Sequence, residues 1–170
     1  RADEAVALTC VLPAQPAYDV KANYVKRELY IPMRDGVKLF TIVYAPKDAT
    51  RRYPMLMTRT AYGIAPYGPE NYRTVLGPNN EFAREGYIFV YQDVRGRFRS
   101  GGDWMEMRPM LTDRRAVGTD ESTDTYDTIA WLLAHVPHHN GRVGMWGISY
   151  PGFYAAAALA GAHPALKAVS

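Results

Sequence analysis

Gly147, Ser149 and Gly152 stand at G-x-S-x-x-G spacing in the stretch GMWGISYPGFYAAAA, from Gly144 to Ala158. An apolar run, VGMW, leads into Gly147, and a run of small residues, Ala155 to Ala158, follows. Where a strand bends sharply into a helix, the side chain at the bend is forced out at the top of the sheet. Glycines on either side let the backbone pass close to itself. A serine held this way can attack an ester or amide carbonyl and carry the acyl group. The spacing departs from the commoner G-x-S-x-G, and a serine at a strand-to-helix turn also serves as an ordinary helix cap.

Acyl transfer needs donors aimed at the developing oxyanion. At such a bend the N–H of the residue after the serine, here Tyr150, supplies one, and the loop after the third strand supplies another. That loop is TRTAYG, Thr58 to Gly63. Tyr62 brings a phenolic hydroxyl to it, but by type alone it reads first as a packed loop aromatic among 13 tyrosines, and as an oxyanion donor only second.

A base and its orienting acid follow the serine in this chain order. No Asp or Glu follows Ser149, and the one later histidine, His163, stands near the end of the expected helix. His135, His138 and His139 precede the serine around Pro137 and read as a polar loop. Two adjacent histidines without a third ligand at helical or hairpin spacing do not make a metal site. No metal is therefore expected. The single cysteine, Cys10, excludes an internal disulfide and reads as an incidental thiol.

The elements that must position these groups follow from periodicity. VKRELYI (Val25 to Ile31), the turn PMRDG and VKLFTIVYAP (Val37 to Pro46) predict an antiparallel hairpin. PMLMTRT (Pro54 to Thr60), YIFVYQDV (Tyr87 to Val94) and NGRVGMWG (Asn140 to Gly147) are apolar enough to be strands buried on both faces. EFAREG (Glu81 to Gly86) predicts a short helix. DESTDTYDTIAWLLAHVP predicts a longer one, its apolar stripe formed by Tyr126, Ile129, Ala130 and Leu133 and its end set by Pro137. YPGFYAAAALAG reads as a small-residue helix and LKAVS as another strand. Alternating strands and helices predict an α/β fold with a mainly parallel sheet covered on both faces. Residues 1 to 23 lack periodicity and read as an N-terminal arm, leaving 24 to 170 as the domain.

The totals narrow the partners. The 170 residues are 48% hydrophobic, enough for one cored domain. Twenty basic and 17 acidic residues give a net charge of +3, interleaved rather than gathered into a stripe, which argues against nucleic acid or an anionic membrane as partner. No apolar run approaches the ~20 residues that span a bilayer. The first residue is Arg1, as after removal of an initiator or signal peptide; export is compatible with this but not shown by it, and the location stays unassigned, with periplasmic or secreted slightly ahead of cytoplasmic.

Five blocks, in order, carry a resemblance: YVKRELYIPMRDGVKL, TRTAYG, GYIFVYQDVRGRFRSGGDW, TDTYDTIAWLLAHVPHHNGRVGMWGISYPGF and HPALKAVS. From Tyr24 to Ser170 the chain resembles the catalytic domain of the family holding α-amino-acid ester hydrolases, bacterial cocaine esterase, glutaryl β-lactam acylases and Xaa-Pro dipeptidyl peptidases. That family writes its bend G-x-S-Y-x-G, which turns the displaced glycine into a match.

The resemblance implies the N-terminal part of an α/β-hydrolase fold. It implies Ser149 as acylated nucleophile, with the Tyr150 amide and the Tyr62 hydroxyl as oxyanion hole and no cofactor. It implies an ester, an amide or a short peptide as substrate, and it allows a homo-oligomer of the full-length form. DVRGR (Asp93 to Arg97) is expected to act structurally, through an Asp and Arg pair, with Arg97 or Trp104 as lesser candidates for substrate contact. The family's triad Asp and His, its helical cap and its jelly-roll domain are expected beyond residue 170. Taken alone, the 170 residues are expected to be nearly inactive and marginally stable, and a noncatalytic interaction module is the alternative from another class.

Overall fold

The computed structural model describes residues 18–111 and 118–170. The sequence reading of residues 1–17, Cys10 included, lies outside them. The described chain is built on one six-stranded sheet: β1 (Tyr24–Pro32), β2 (Lys38–Pro46), β3 (Tyr53–Thr60), β4 (Ile88–Asp93), β5 (His139–Met145) and β6 (Leu166–Val169), in the order β1-β2-β4-β3-β5-β6. β1, β2 and β4 pair antiparallel, whereas β4, β3, β5 and β6 run parallel. The predicted hairpin is present, and its turn is closed by the Met33 N–H donating to the Val37 carbonyl at 2.7 Å.

Four α-helices accompany the sheet: α1 (Val20–Asn23), α2 (Asn80–Glu85), α3 (Glu121–His135) and α4 (Tyr150–Ala157), the last running on into a 3₁₀ turn, Ala158–Gly161. α3 starts where the side chains of Asp120 and Thr123 bond reciprocally to each other's backbone N–H. Among the described residues, regular structure is already present at Val20, four residues before Tyr24. The Asp19 side chain caps α1, and Val20 is buried against the sheet.

Strand alternation divides the core in two. Leu39, Val43, Met55, Met57, Ile88 and Val90 face α3 and α4, while Phe40, Ile42, Tyr44, Leu56, Phe89 and Tyr91 join Val20, Leu76 and Ala83 on the other face. β2, β3 and β4 are thus buried on both sides; for β3 and β4 this is what their unbroken apolar runs predict, whereas the sequence reads β2 only as a strand of the hairpin. β5 departs from that expectation. Val143 and Met145 are buried, but Asn140 and Arg142 are exposed and Gly144 offers no side chain to the second layer.

α3 also departs from the stripe read from its sequence. Ile129 is buried, but Tyr126 and Ala130 are exposed and Leu133 is only half-buried. The face turned inward is largely polar: Glu121, Ser122, Asp124, Thr125 and Thr128, followed by Ile129 and Leu132. The cause lies in the sheet beneath. Arg59 continues the row of Met55 and Met57 and is fully buried, and Gln92 continues that of Ile88 and Val90. Arg59 Nη1 donates to Glu121 Oε2 at 2.9 Å and to Thr125 Oγ1 at 3.0 Å, and its Nε donates to Gln92 Oε1 at 2.8 Å. Gln92 Nε2 in turn donates to Thr41 and Thr128. A buried guanidinium must be paired, so the acidic and hydroxylic side of α3 turns toward it.

Candidate active site

Three loops leave the carboxyl ends of neighbouring parallel strands: Ala61–Gly63 from β3, Val94–Trp104 from β4, and Trp146–Ser149 from β5. Ligand sites of open α/β sheets lie at this edge. The TRTAYG stretch is only half loop, because β3 continues through Thr60.

Ser149 adopts φ 61° and ψ −124° at the head of α4, and its side chain makes no cap hydrogen bond. This corrects the capping alternative: the serine is exposed, and its hydroxyl is not committed to the helix. Such a backbone is costly for a residue with a Cβ, and residues held this way concentrate at functional sites. The two glycines explain how the bend is made. A Cβ on Gly147 would lie 2.2 Å from the Pro151 carbonyl oxygen, and Gly152 faces the Gly147 carbonyl in return.

Tyr150 is the first residue of α4, so its N–H is one of those the helix itself cannot satisfy. Its ring packs on Phe153 and Tyr154, and its phenol oxygen accepts the Met107 N–H at 2.9 Å. Tyr62 is 64% exposed, which removes the reading of a packed aromatic. Its ring lies 6.0 Å from that of Tyr150, and its N–H is bound by Thr60 Oγ1 at 3.0 Å. Tyr62, Ser149 and Tyr150 are thus brought to one edge of the sheet.

The loop after β4 forms one wall. Gly96 permits its return, since a Cβ there would meet the Trp104 amide nitrogen at 2.1 Å. Arg97 Nε donates to the Ala61 carbonyl at 3.1 Å, and its guanidinium lies over the Trp104 ring at 4.9 Å. Phe98 packs on Gly63 beside Tyr62. The expected Asp and Arg pair within DVRGR does not form. Asp93 Oδ2 accepts from the Tyr67 hydroxyl and the Arg99 N–H, while Arg95 is held by Asp124 at 2.7 and 3.0 Å and by Asp35 at 2.7 Å. The loop is still fixed structurally, by other partners. The sequence reading missed Arg59, Tyr67 and Lys26. A cation two residues beyond buried Met57 was a signal for Arg59; the other two contacts depend on loop conformation.

The histidines are elsewhere. His135, His138 and His139 lie at the amino end of β5, a strand of seven residues and therefore roughly 20 Å from the bend. His135 is turned to the Trp131 carbonyl at 2.7 Å and His139 to that of Leu133 at 2.9 Å. His163 lies past α4 and the 3₁₀ turn, also roughly 20 Å of helical rise away. It accepts the Ala165 N–H, and burial holds it below the ordinary imidazole range. Among the described residues, no group of three or more His, Cys, Asp or Glu side chains could hold a metal ion, and no helix is long and apolar enough to cross a membrane.

The sheet order, the helices on its faces and the bend after β5 define an α/β-hydrolase fold. A family model described as X-Pro dipeptidyl-peptidase (S15 family) matches residues 35–170, and the chain belongs to that family. Cocaine esterase of Rhodococcus sp. (strain MB1 Bresler) is 35% identical over 134 residues, which are 78% of this chain and 21% of the relative. An aminopeptidase from a marine sediment Thaumarchaeota archaeon superposes with a TM-score of 0.77 at 40% identity, over 98% of this chain and 28% of that one. An α-amino acid ester hydrolase gives a TM-score of 0.77 at 39% identity, over 96% and 28%. The chain therefore spans between a fifth and three tenths of the length of these relatives.

Proposed function

We propose that Ser149 is the nucleophile of a hydrolase that cleaves an ester or amide of an acyl or α-amino-acyl group through an acyl-enzyme. The observation that carries this reading is the backbone of Ser149, held at φ 61° with its side chain uncapped and exposed above the sheet. The serine oxygen attacks the carbonyl carbon, and the carbonyl oxygen takes the negative charge between the Tyr150 N–H and the Tyr62 hydroxyl. The base takes the serine proton and returns it to the leaving group. Water then attacks the acyl-enzyme, losing its proton to the same base, which passes it to the serine oxygen as the acyl–oxygen bond breaks and the acid is released.

The base and its acid partner belong, in this reading, to the region that the relatives carry beyond the match. The positions of His135, His138, His139 and His163, all away from the bend, support that. The second reading, release of Xaa-Pro dipeptides, is favoured by the name of the matching family model and by the aminopeptidase likeness. An amino-acid ester, a glutaryl amide and an Ala-Pro anilide, offered to a chain extended through that region, separate the two. The ester is expected to turn over fastest; preference for the anilide would select the peptidase reading, and hydrolysis of none would contradict both.

A further inference from the structure

Asp93 ends β4 and is fully buried. Its Oδ2 accepts the Tyr67 hydroxyl at 3.2 Å and the Arg99 N–H at 3.4 Å, and the Ile64 N–H also faces the carboxylate, while Oδ1 makes no well-formed hydrogen bond. The Tyr67 oxygen accepts the Ile64 N–H at 3.3 Å, two residues beyond Tyr62. One carboxylate thus joins the loop that carries Tyr62 to the loop after β4.

The far end of the first loop is held differently. Lys26 Nζ, buried, shares its three N–H donors among the carbonyls of Pro66 at 2.7 Å, Gly68 at 2.7 Å and Asn71 at 2.8 Å and the Glu28 carboxylate at 2.9 Å. Glu28 also accepts the Gly68 N–H. That anchor is saturated, whereas the one at Asp93 keeps an oxygen without a well-formed hydrogen bond. A buried carboxylate with such an oxygen is a costly means of holding two hydrogen bonds.

We propose that Asp93 is a positioning residue whose charged carboxylate, through Tyr67 and Arg99, holds the Tyr62 loop in the geometry that serves the oxyanion. This rests on the assignment of Tyr62 as oxyanion donor. The titratable and charged groups facing Asp93 are Tyr67, from the loop after β3, and Arg99, from the loop after β4. Arg99 is shared with Glu28 of β1 at 3.4 Å.

Burial pushes the Asp93 carboxyl up to about 6, against the opposing pull of these partners. A carboxyl raised on folding favours the folded state most at low pH, and this contribution is lost as pH rises from 3.8 to about 6. Hydrogen bonds to the charged form are about twice as strong as to the neutral one. The clamp therefore tightens over the same pH interval in which Asp93 lowers global stability. A residue that only supported the fold would move both quantities in one direction.

The test on the 170-residue chain is amide exchange of Ile64 and Arg99 beside urea unfolding, from pH 4.5 to 7.5. Exchange protection of both amides is expected to rise severalfold through about pH 6 while Asp93 lowers the urea midpoint, and Asp93→Asn is expected to flatten both trends. Should that variant not fold, Tyr67→Phe, which removes both the donor to Asp93 and the acceptor of Ile64, is expected to abolish the pH dependence of Ile64 protection while Arg99, bonded directly to the carboxylate, keeps its own. Protection that ignores pH, or that follows global unfolding, would overturn the proposal.

In a chain that turns over ester, Asp93→Asn is expected to lower kcat about fivefold with KM unchanged, and to add nothing to Tyr62→Phe. Unchanged turnover in Tyr62→Phe removes the oxyanion assignment and this inference with it. A slowed Tyr62→Phe beside an unimpaired Asp93→Asn removes this inference alone.

Discussion

Gly147 and Gly152 stand against each other across the bend that carries Ser149. A Cβ on Gly147 would lie 2.2 Å from the Pro151 carbonyl oxygen and 2.6 Å from the Gly152 nitrogen, whereas a Cβ on Gly152 would lie 3.2 Å from the Gly147 carbonyl oxygen. The first approach is backbone on backbone, with nothing flexible to yield. The second needs a shift of a few tenths of an ångström.

The two alanine variants should therefore differ. Gly147→Ala is expected to cost on the order of 3 kcal/mol or more, since overpacking here forces the main chain apart. Gly152→Ala gains about 0.5–1 kcal/mol of helix preference, which offsets its tight contact and leaves a net change within about 1 kcal/mol. Urea midpoints of both variants check the ranking, and equal losses would mean that the bend is not built this way.

Strain at Ser149 makes a prediction of opposite sign. Ser149→Gly removes a Cβ from a backbone at φ 61°, and relief of about 1–3 kcal/mol exceeds the entropy glycine adds to the unfolded chain. The variant is expected to unfold at a higher urea concentration than the parent while losing the nucleophile. Destabilisation by Ser149→Gly would show that the serine supports the fold.

Tyr62→Phe keeps a ring that is already exposed and removes only the hydroxyl. In the extended chain the expected result is a loss of turnover of about 10² to 10³, the usual effect of deleting one oxyanion donor. The melting curve should not move. Retained turnover would place the second donor elsewhere.

Much of this was legible in the sequence because it rests on local rules. Alternation and unbroken apolar runs located β2, β3 and β4, and the five blocks assigned the fold around GMWGISYPGF. The face of α3 was not legible in this way. Periodicity favoured Tyr126, Ile129, Ala130 and Leu133, but Arg59 and Gln92, brought beneath the helix by strand pairing, turned Glu121, Thr125 and Thr128 inward instead. The partners of Arg95 were equally hidden, since Asp35 and Asp124 lie 60 and 29 residues away in sequence. The bend itself was visible in its glycines, whereas the φ of Ser149 that gives the bend its chemical meaning is a property of three dimensions.

The most direct test of the nucleophile is to map the adduct left by a fluorophosphonate probe. In the chain extended through the region of its relatives, a single adduct is expected on the peptide containing Ser149 and none in Ser149→Ala. The 170-residue chain by itself is expected to label negligibly. An adduct on another residue, or ester turnover by Ser149→Ala, would contradict the assignment; strong labelling of the 170-residue chain would mean that the base acts from within it.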